Sequence, residues 1–327
     1  MARYLVTGVA GFIASKVASM LVGQGHEVVG FDDLNDAYDV RVKRWRLDQL
    51  LTLDGFHFEE LDIRDRRGLE ETWAKLPSFD AVVNLAARAG VRQSVSNPWV
   101  YFEVNATGTL NLLELCRVHG VTNFILASTS SLYGGLNPVP YSEETETDHP
   151  LSPYAASKKA AETMCFTYHY LYGLDVTVFR YFTVYGPAGR PDMSMFRFIQ
   201  WIAEQRSVVV YGDGTQSRDF TYVDDIARGT IAALGRKGYS VVNLGSDHPL
   251  VLMDVLRMIE QLLGISARIE HRPAHRADVQ ATWADIRRAR ATLGWSPAVS
   301  PQKGIENTVE WYLENRHWAK DIQTTDL

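Results

Sequence analysis

The chain has little cysteine: two residues in 327, Cys116 and Cys165. Two thiols cannot make a disulfide framework, and neither sits in a CxxC pair. A stapled secreted scaffold is excluded, and a reducing cytoplasm fits this usage best. Positive charge is not in excess either. The 33 Lys and Arg stand against 39 Asp and Glu, for a net charge of −6. A nucleic-acid binder carries a basic face, so that class is disfavoured. No run reaches the ~18 consecutive apolar residues of a membrane-crossing helix. Arg3 followed by an apolar run has the outline of a signal peptide, but the run holds glycines at helix-opening spacing and leads into an amphipathic helix. Internal repeats and low-complexity segments are also lacking.

What is present is an ordinary globular composition, 46% hydrophobic and 22% charged. A chain of this length holds about two domains at ~150 residues each. The first half alternates two periodicities. Strand patterns fall at 3–7, 27–32, 56–61, 80–85, 123–127 and 175–180. Helix patterns fall at 11–23, 41–51, 65–75, 99–119 and 153–172, the last with proline in its first turn. This order predicts an α/β fold, a doubly wound parallel sheet with helices on both faces. After residue 181 the segments shorten. Residues 222–234 and 240–244 read as a return to the large sheet, while 253–264, 267–271 and 285–293 read as a small C-terminal α/β lobe, with 302–315 as a terminal helix. The expected division is 1–180, with a return at about 219–244, against a lobe of 181–218 and 245–327.

The first strand ends in Gly8, and Gly11 follows where a helix opens, with small Ala14 three residues on. A turn without Cβ atoms lets a pyrophosphate reach backbone N–H groups and the positive helix end. Asp32 ends the second strand, about 20 residues on, where an acid accepts both adenosine ribose hydroxyls. It would repel a 2′-phosphate, so NAD is expected over NADP. The basic cluster Arg41, Lys43, Arg44 and Arg46 reads as a solvated helix face. Asp62 and Ile63, closing the third strand, suit adenine.

Tyr154 and Lys158 stand one helical turn apart on one face. An ammonium beside a phenol favours the phenolate, which then accepts a proton from a sugar hydroxyl as hydride leaves the same carbon. A hydroxyl-rich strand end, Ser128 to Ser131, precedes them at the sheet edge where ligands bind.

With these residues in hand, the sequence resembles the extended short-chain dehydrogenase/reductase family across nearly its full length. The motifs are TGVAGFIAS at 7–15, NLAARAGV at 84–91, STSSLYG at 128–134, YAASK at 154–158, RYFTVYGP at 180–187 and RDFTYVDD at 218–225. Within the family it is most similar to the UDP-glucuronate 4-epimerases, through DDLNDAYDVRVK at 32–43, RYFTVYGPAGRPDM at 180–193 and DVQATWADI at 278–286. The resemblance implies a Rossmann-type NAD domain with a smaller substrate lobe, a UDP-sugar substrate and a two-fold homodimer. It implies Thr129, Tyr154 and Lys158 as catalytic. It implies cofactor contacts at Gly8, Gly11, Phe12, Ile13, Asp32, Asp62, Ile63, Leu85, Ala86, Ala87, Tyr154, Lys158 and Tyr181. Ser130, Ser131, Thr183 and Arg190 match positions that hold a sugar carboxylate, and Gln216, Arg218 and Asp278 match positions that hold UDP. Thr183 stands where relatives acting on neutral hexoses usually carry Asn. Arg276, beside Asp278, departs from the usual pattern. His271 and His275 read as loop residues, and no His/Cys/Asp cluster has metal-ligand spacing.

The activity so implied is reversible inversion at C4 of UDP-glucuronate through a 4-keto sugar, with bound NAD. The alternatives are epimerisation of UDP-hexoses or UDP-N-acetylhexosamines, decarboxylation of UDP-glucuronate, or 4,6-dehydration. Decarboxylases and dehydratases of the family carry an acid after the catalytic Ser/Thr, where this sequence has Ser130 and Ser131. From another class comes a catalytically silent NAD-binding scaffold, against which the Thr129, Tyr154 and Lys158 set argues.

Overall fold

The computed structural model of the chain describes residues 1–135, 137–274 and 278–324. The first half runs β1 (Arg3–Thr7), α1 (Phe12–Gly23), β2 (Glu27–Asp32), α2 (Val40–Leu51), β3 (Phe56–Glu60), α3 (Arg66–Trp73) and β4 (Ala81–Asn84). It continues with α4 (Val91–Ser96), α5 (Pro98–Phe102), α6 (Thr109–His119), β5 (Asn123–Thr129), α7 (Pro153–Tyr172) and β6 (Asp175–Tyr181). The second half opens with β7 (Thr183–Tyr185), α8 (Ser194–Ala203), β8 (Ser207–Tyr211), β9 (Ser217–Arg218), β10 (Phe220–Tyr222), α9 (Val223–Ile231) and β11 (Tyr239–Leu244). It ends with β12 (Leu250–Val251), α10 (Leu252–Leu263), β13 (Arg268–Arg272), α11 (Arg287–Leu293), α12 (Pro301–Glu314) and α13 (Arg316–Ala319).

Seven strands form one parallel sheet in the order β11-β6-β5-β4-β1-β2-β3. Strand alternation assigns the faces. Tyr4, Val6, Ala81, Val83, Ile125 and Ala127 pack with Val17 and Leu21 of α1, Ile226 of α9 and Ala289 of α11. Their neighbours Leu5, Val82, Phe124 and Leu126 pack with Leu69 of α3, Leu112 of α6 and Ala161 of α7. Both faces are therefore covered, as continuous apolar strands require. A third core, including Phe196, Val208, Leu256 and Trp311, fills the smaller lobe. There β8 pairs with β13 in parallel.

Helix α7 keeps its predicted bounds because its ends are chemically marked. The Ser152 side chain caps Ala155 N–H, Pro153 opens the first turn, and Gly173 closes it at φ +70°. The helix expected at 99–119 is divided. Residues Glu103–Gly108 widen into a π-type turn between α5 and α6. Asn105 lies in that turn, and its side chain bonds both backbone groups of Arg88 and the Ser157 hydroxyl. The segment 285–293, read with the small lobe, packs instead on the large sheet, where Ala284, Ile286 and Ala289 join the α1 core. Among the described residues, no helix is long and apolar enough to cross a membrane.

Candidate active site

A cleft of about 350 Å³ runs along the carboxyl ends of the sheet strands. It crosses the point between β1 and β4 where the strand order reverses, the place where open α/β sheets take ligands. Gly8, Gly11, Phe12, Ile13, Asp32, Asp62, Ile63, Leu85, Ala86, Ala87, Thr129, Ser130, Ser131, Tyr154, Lys158, Tyr181, Thr183 and Arg190 all line it.

The β1–α1 turn needs glycine on steric grounds. Gly8 sits at φ +68°, and a Cβ there would lie 2.7 Å from Ala86 Cα. A Cβ on Gly11 would lie 2.7 Å from the Gly8 carbonyl oxygen, which accepts the Gly11 N–H at 2.7 Å. Asp32 accepts Ala10 N–H at 3.0 Å and Leu34 N–H at 2.8 Å, so its carboxylate is fixed at the end of β2. Burial raises its pKa, with Lys43 Nζ, 3.7 Å away, opposing the rise. Asp62 faces Arg64. Burial pushes its carboxyl up, but the Arg64 hydrogen bonds outweigh this and hold it low.

The basic cluster on α2 is not one solvated face. Arg41 and Arg44 are exposed, but Lys43 and Arg46 are 5% and 3% exposed. Arg46 donates to Ala188 O at 2.6 and 2.9 Å, to Ala10 O at 3.0 Å and to the Tyr38 hydroxyl at 2.7 Å. It thereby ties the glycine turn to the loop that carries Arg190. The i,i+3 spacing of Lys43 and Arg46, beside apolar Val42, Leu47 and Leu50, was the available sequence signal.

Thr129 closes β5 and caps the short turn Ser130–Tyr133 by accepting Ser131 N–H at 3.1 Å. Tyr154 stands in the first turn of α7, edge-on to Tyr101 with ring centroids 6.1 Å apart. Burial raises the Tyr154 pKa, opposed by a hydrogen bond with Thr129 and by the charge of Arg190. Lys158 is buried and donates to Ala127 O at 2.8 Å. Burial lowers its pKa to about 8, with Glu162 opposing. The ammonium donates one hydrogen bond to the strand end, while a hydrogen bond with Thr129 and the charge of Arg190 act on the phenol. Beneath lies a buried network: Glu162 takes Arg180 Nη2 at 2.8 Å and the Ser128 hydroxyl at 2.5 Å.

Arg190 enters the cleft paired with Asp192, Nε to Oδ1 at 3.1 Å, and with Nη2 near Ala89 O at 3.4 Å. Gln216, Arg218 and Asp278 gather elsewhere, on the small lobe. Gln216 donates to Tyr211 O at 2.8 Å, and Arg218 to Ser217 O at 2.8 Å. Burial lowers the Arg218 pKa; Asp278 opposes this and Arg92 adds to it. Arg92, which motif reading passed over, pairs with Asp278 and stacks on the Tyr211 ring at 4.0 Å. It lies six residues before Pro98 in a loop-to-helix stretch with no local pattern to mark it. His275 and Arg276 lie outside the described residues. His271 is in β13, its Nδ1 2.8 Å from Gly212 O.

The comparisons agree with this geometry. Residues 4–245 match the NAD dependent epimerase/dehydratase family. A UDP-glucuronate 4-epimerase of Thermodesulfobacterium geofontis is 53% identical over 324 residues, 99% of this chain and 100% of that protein. The solved structure of UDP-glucuronic acid 4-epimerase from Bacillus cereus, in complex with UDP-glucuronic acid and NAD, is 35% identical with a TM-score of 0.89, covering 96% of this chain and 99% of that one. UDP-glucose 4-epimerase from Thermotoga maritima, with UDP-glucose, is 31% identical with a TM-score of 0.89 over 96% and 99% of the two chains. The chain belongs to the NAD-dependent epimerase/dehydratase family, within the extended short-chain dehydrogenase/reductases.

Proposed function

We propose that the protein inverts C4 of UDP-glucuronate, giving UDP-galacturonate, with tightly held NAD. One observation carries this reading. A proton-transfer set, Thr129, Tyr154 and Lys158, shares a single cleft with a carboxylate-binding set, Ser130, Ser131, Thr183 and Arg190. The likeness to UDP-glucuronate 4-epimerases over the full chain supports it.

The residues fit NAD. The turn at Gly8 and Gly11 is too tight against Ala86 and its own carbonyl for a Cβ at either position, and Phe12 N–H and Ile13 N–H open α1 directly after it. The fixed Asp32 carboxylate, with Asp33 beside it, takes ribose hydroxyls and disfavours a 2′-phosphate. When bound, NAD supplies a hydride acceptor and donor at C4.

Tyr154 accepts the O4 proton as C4 becomes a ketone, and returns it after the sugar presents its other face. Thr129 holds O4 and stabilises the phenolate through its hydroxyl. Lys158, one turn behind, supplies positive charge to the same locus. Phe12, Ile13, Ile63, Leu85, Ala86, Ala87 and Tyr181 wall the cofactor, and Gln216, Arg218 and Asp278 grip UDP. The intermediate is a β-keto acid, which loses CO₂ when its C5–C6 bond aligns with the carbonyl π system. Arg190 with the three hydroxyls holds the carboxylate out of that alignment.

The same reading divides the chain into an NAD domain, 1–180 plus a return at about 219–244 and the 285–293 segment that packs on the large sheet, and a UDP-sugar lobe. It includes a homodimer, supported by the exposed Trp99, Val118, Phe166, Tyr170 and Leu171 on the α5–α6 and α7 surfaces, and testable by light scattering. A cytoplasmic setting is supported by two buried, unpaired cysteines.

The experiment is incubation of the pure protein with UDP-glucuronate and, separately, UDP-glucose, with NMR of the products. UDP-galacturonate from the first, without added cofactor, is the expected result. Turnover of UDP-glucose alone, or release of CO₂ and a pentose nucleotide by the wild type, would overturn it.

A further inference from the structure

We propose that Arg88 is the cation that clamps the cofactor's pyrophosphate, a contact that rests on the NAD reading above. The first support is topological. Arg88 leaves the loop after β4, and its Nη1 reaches Asn35 Oδ1, in the loop after β2, at 3.2 Å. In the sheet, β1 lies between β4 and β2. A side chain joining the two outer loops therefore passes over the β1 turn, where Gly8 and Gly11 open the pyrophosphate cradle. Arg88, Asn35 and both glycines line the same cleft.

The second support is charge accounting. Lys43 faces Asp32, Arg64 faces Asp62, and Arg190 faces Asp192. Arg46 is spent on two carbonyls and a phenol. Among the described residues, Arg88 forms no ion pair, and its guanidinium is bonded only to a neutral amide oxygen. Lys158 also lines the cleft with no ion pair among the described residues, but its ammonium is bonded to Ala127 O at the end of β5. This leaves Arg88 as the unpaired cation joined to the loops beside the glycine turn, and a pyrophosphate brings two negative charges.

The third support is preorganisation. Asn105 accepts Arg88 N–H at 2.8 Å and donates to Arg88 O at 3.0 Å from the π-type turn, so the base of the arm is fixed on both sides. Widened turns of this kind recur at functional sites. The arm joins the loop after β4 to the loop after β2, and a diphosphate held at the β1 turn between them completes the guanidinium's unused donors.

The test follows NAD release from the purified holoenzyme, chased with excess ADP-ribose, at several salt concentrations. Arg88→Gln is expected to release NAD about 10- to 100-fold faster, the range for a charge-assisted hydrogen bond. Its release is also expected to depend less on salt than the wild type's, because a charge contact has gone. Arg88→Met, which keeps the apolar stem, should behave alike, and Arg88→Lys should recover most of the retention. With NAD saturating, KM for UDP-glucuronate should stay within about twofold of wild type. Unchanged release in both charge-removing variants overturns the proposal. So does a loss confined to KM for UDP-glucuronate, which would assign Arg88 to the uronate instead. A wild type that carries no NAD at all would refute the function, not the clamp alone.

Discussion

Replacing Arg190 with leucine separates recognition of the sugar's carboxylate from the rest of the cleft's work. The guanidinium has five N–H donors. Asp192 takes two of them, Nε at 3.1 Å and one on Nη2, which also lies 3.4 Å from Ala89 O. The Nη1 donors remain for the substrate. Hydrogen bonds to charged groups contribute about 1.5–3 kcal/mol, or roughly 10–100-fold in kcat/KM. Because Asp192 already offsets part of the charge, the effect should fall near the lower bound, about tenfold. The single variant carries a side cost. It leaves Asp192, whose side chain is 9% exposed, without its counter-ion. Breaking a buried pair costs about 3–5 kcal/mol, whereas replacing both members with apolar residues is often neutral. The double variant Arg190→Leu/Asp192→Leu is therefore the cleaner perturbation. Both sugars are placed in one tube, and the ratio of kcat/KM for UDP-glucuronate to that for UDP-glucose is read from their competition. Losses from misfolded enzyme cancel in that ratio. A fall of about tenfold is expected. An unchanged ratio would refute the carboxylate role of Arg190, and a wild-type preference for UDP-glucose would refute the uronate reading itself.

Tyr154→Phe should lower turnover by ~10²–10⁴-fold while NAD content and UDP binding, measured by absorbance and calorimetry, stay near wild type; activity within a few-fold of wild type would reassign the base. Gly8→Ala forces a Cβ to 2.7 Å from Ala86 Cα at φ +68°, and such strain costs about 1–3 kcal/mol; an unfolding midpoint and NAD content equal to wild type would contradict the turn argument. Lys158→Met should abolish turnover yet show a distinctive pH trend in melting temperature. Lys158 titrates near 8 in the folded chain against an ordinary 10.5, so the folded state binds fewer protons across that window. The wild type therefore gains stability from this site as pH rises from 8 to 10.5, and bears the full cost of the buried cation below 8. The melting-temperature difference, Met variant minus wild type, should be largest near pH 7 and shrink toward pH 10.5; a difference flat with pH would sink the assignment.

Much of this protein was written locally. The alternation of strand and helix periods sets the parallel sheet, since each strand needs a crossover helix before the next can pair alongside. Gly8, Gly11 and Asp32 announce the cofactor turn because a missing Cβ and a strand-ending acid are local properties. Tyr154 and Lys158 are likewise legible, being one turn apart on a helix whose cap and proline are both in sequence. Side-chain partnership was not legible. Lys43 and Arg46 look like solvent-facing charge until α2 packs and turns them inward. The Arg190–Asp192 pair, two residues apart, is local, but the approach of Arg190 to Ala89 O across the cleft is not. Lys158 reads as the group tuning Tyr154, and only packing reveals that its ammonium also donates to the strand end at Ala127 O. The widened turn at Asn105, the arm of Arg88 and the Arg92–Asp278 pair all join residues far apart in the chain. Periodicity reports which way a residue faces along its own element. Which distant group meets it there depends on how the elements pack, and tertiary structure alone decided that.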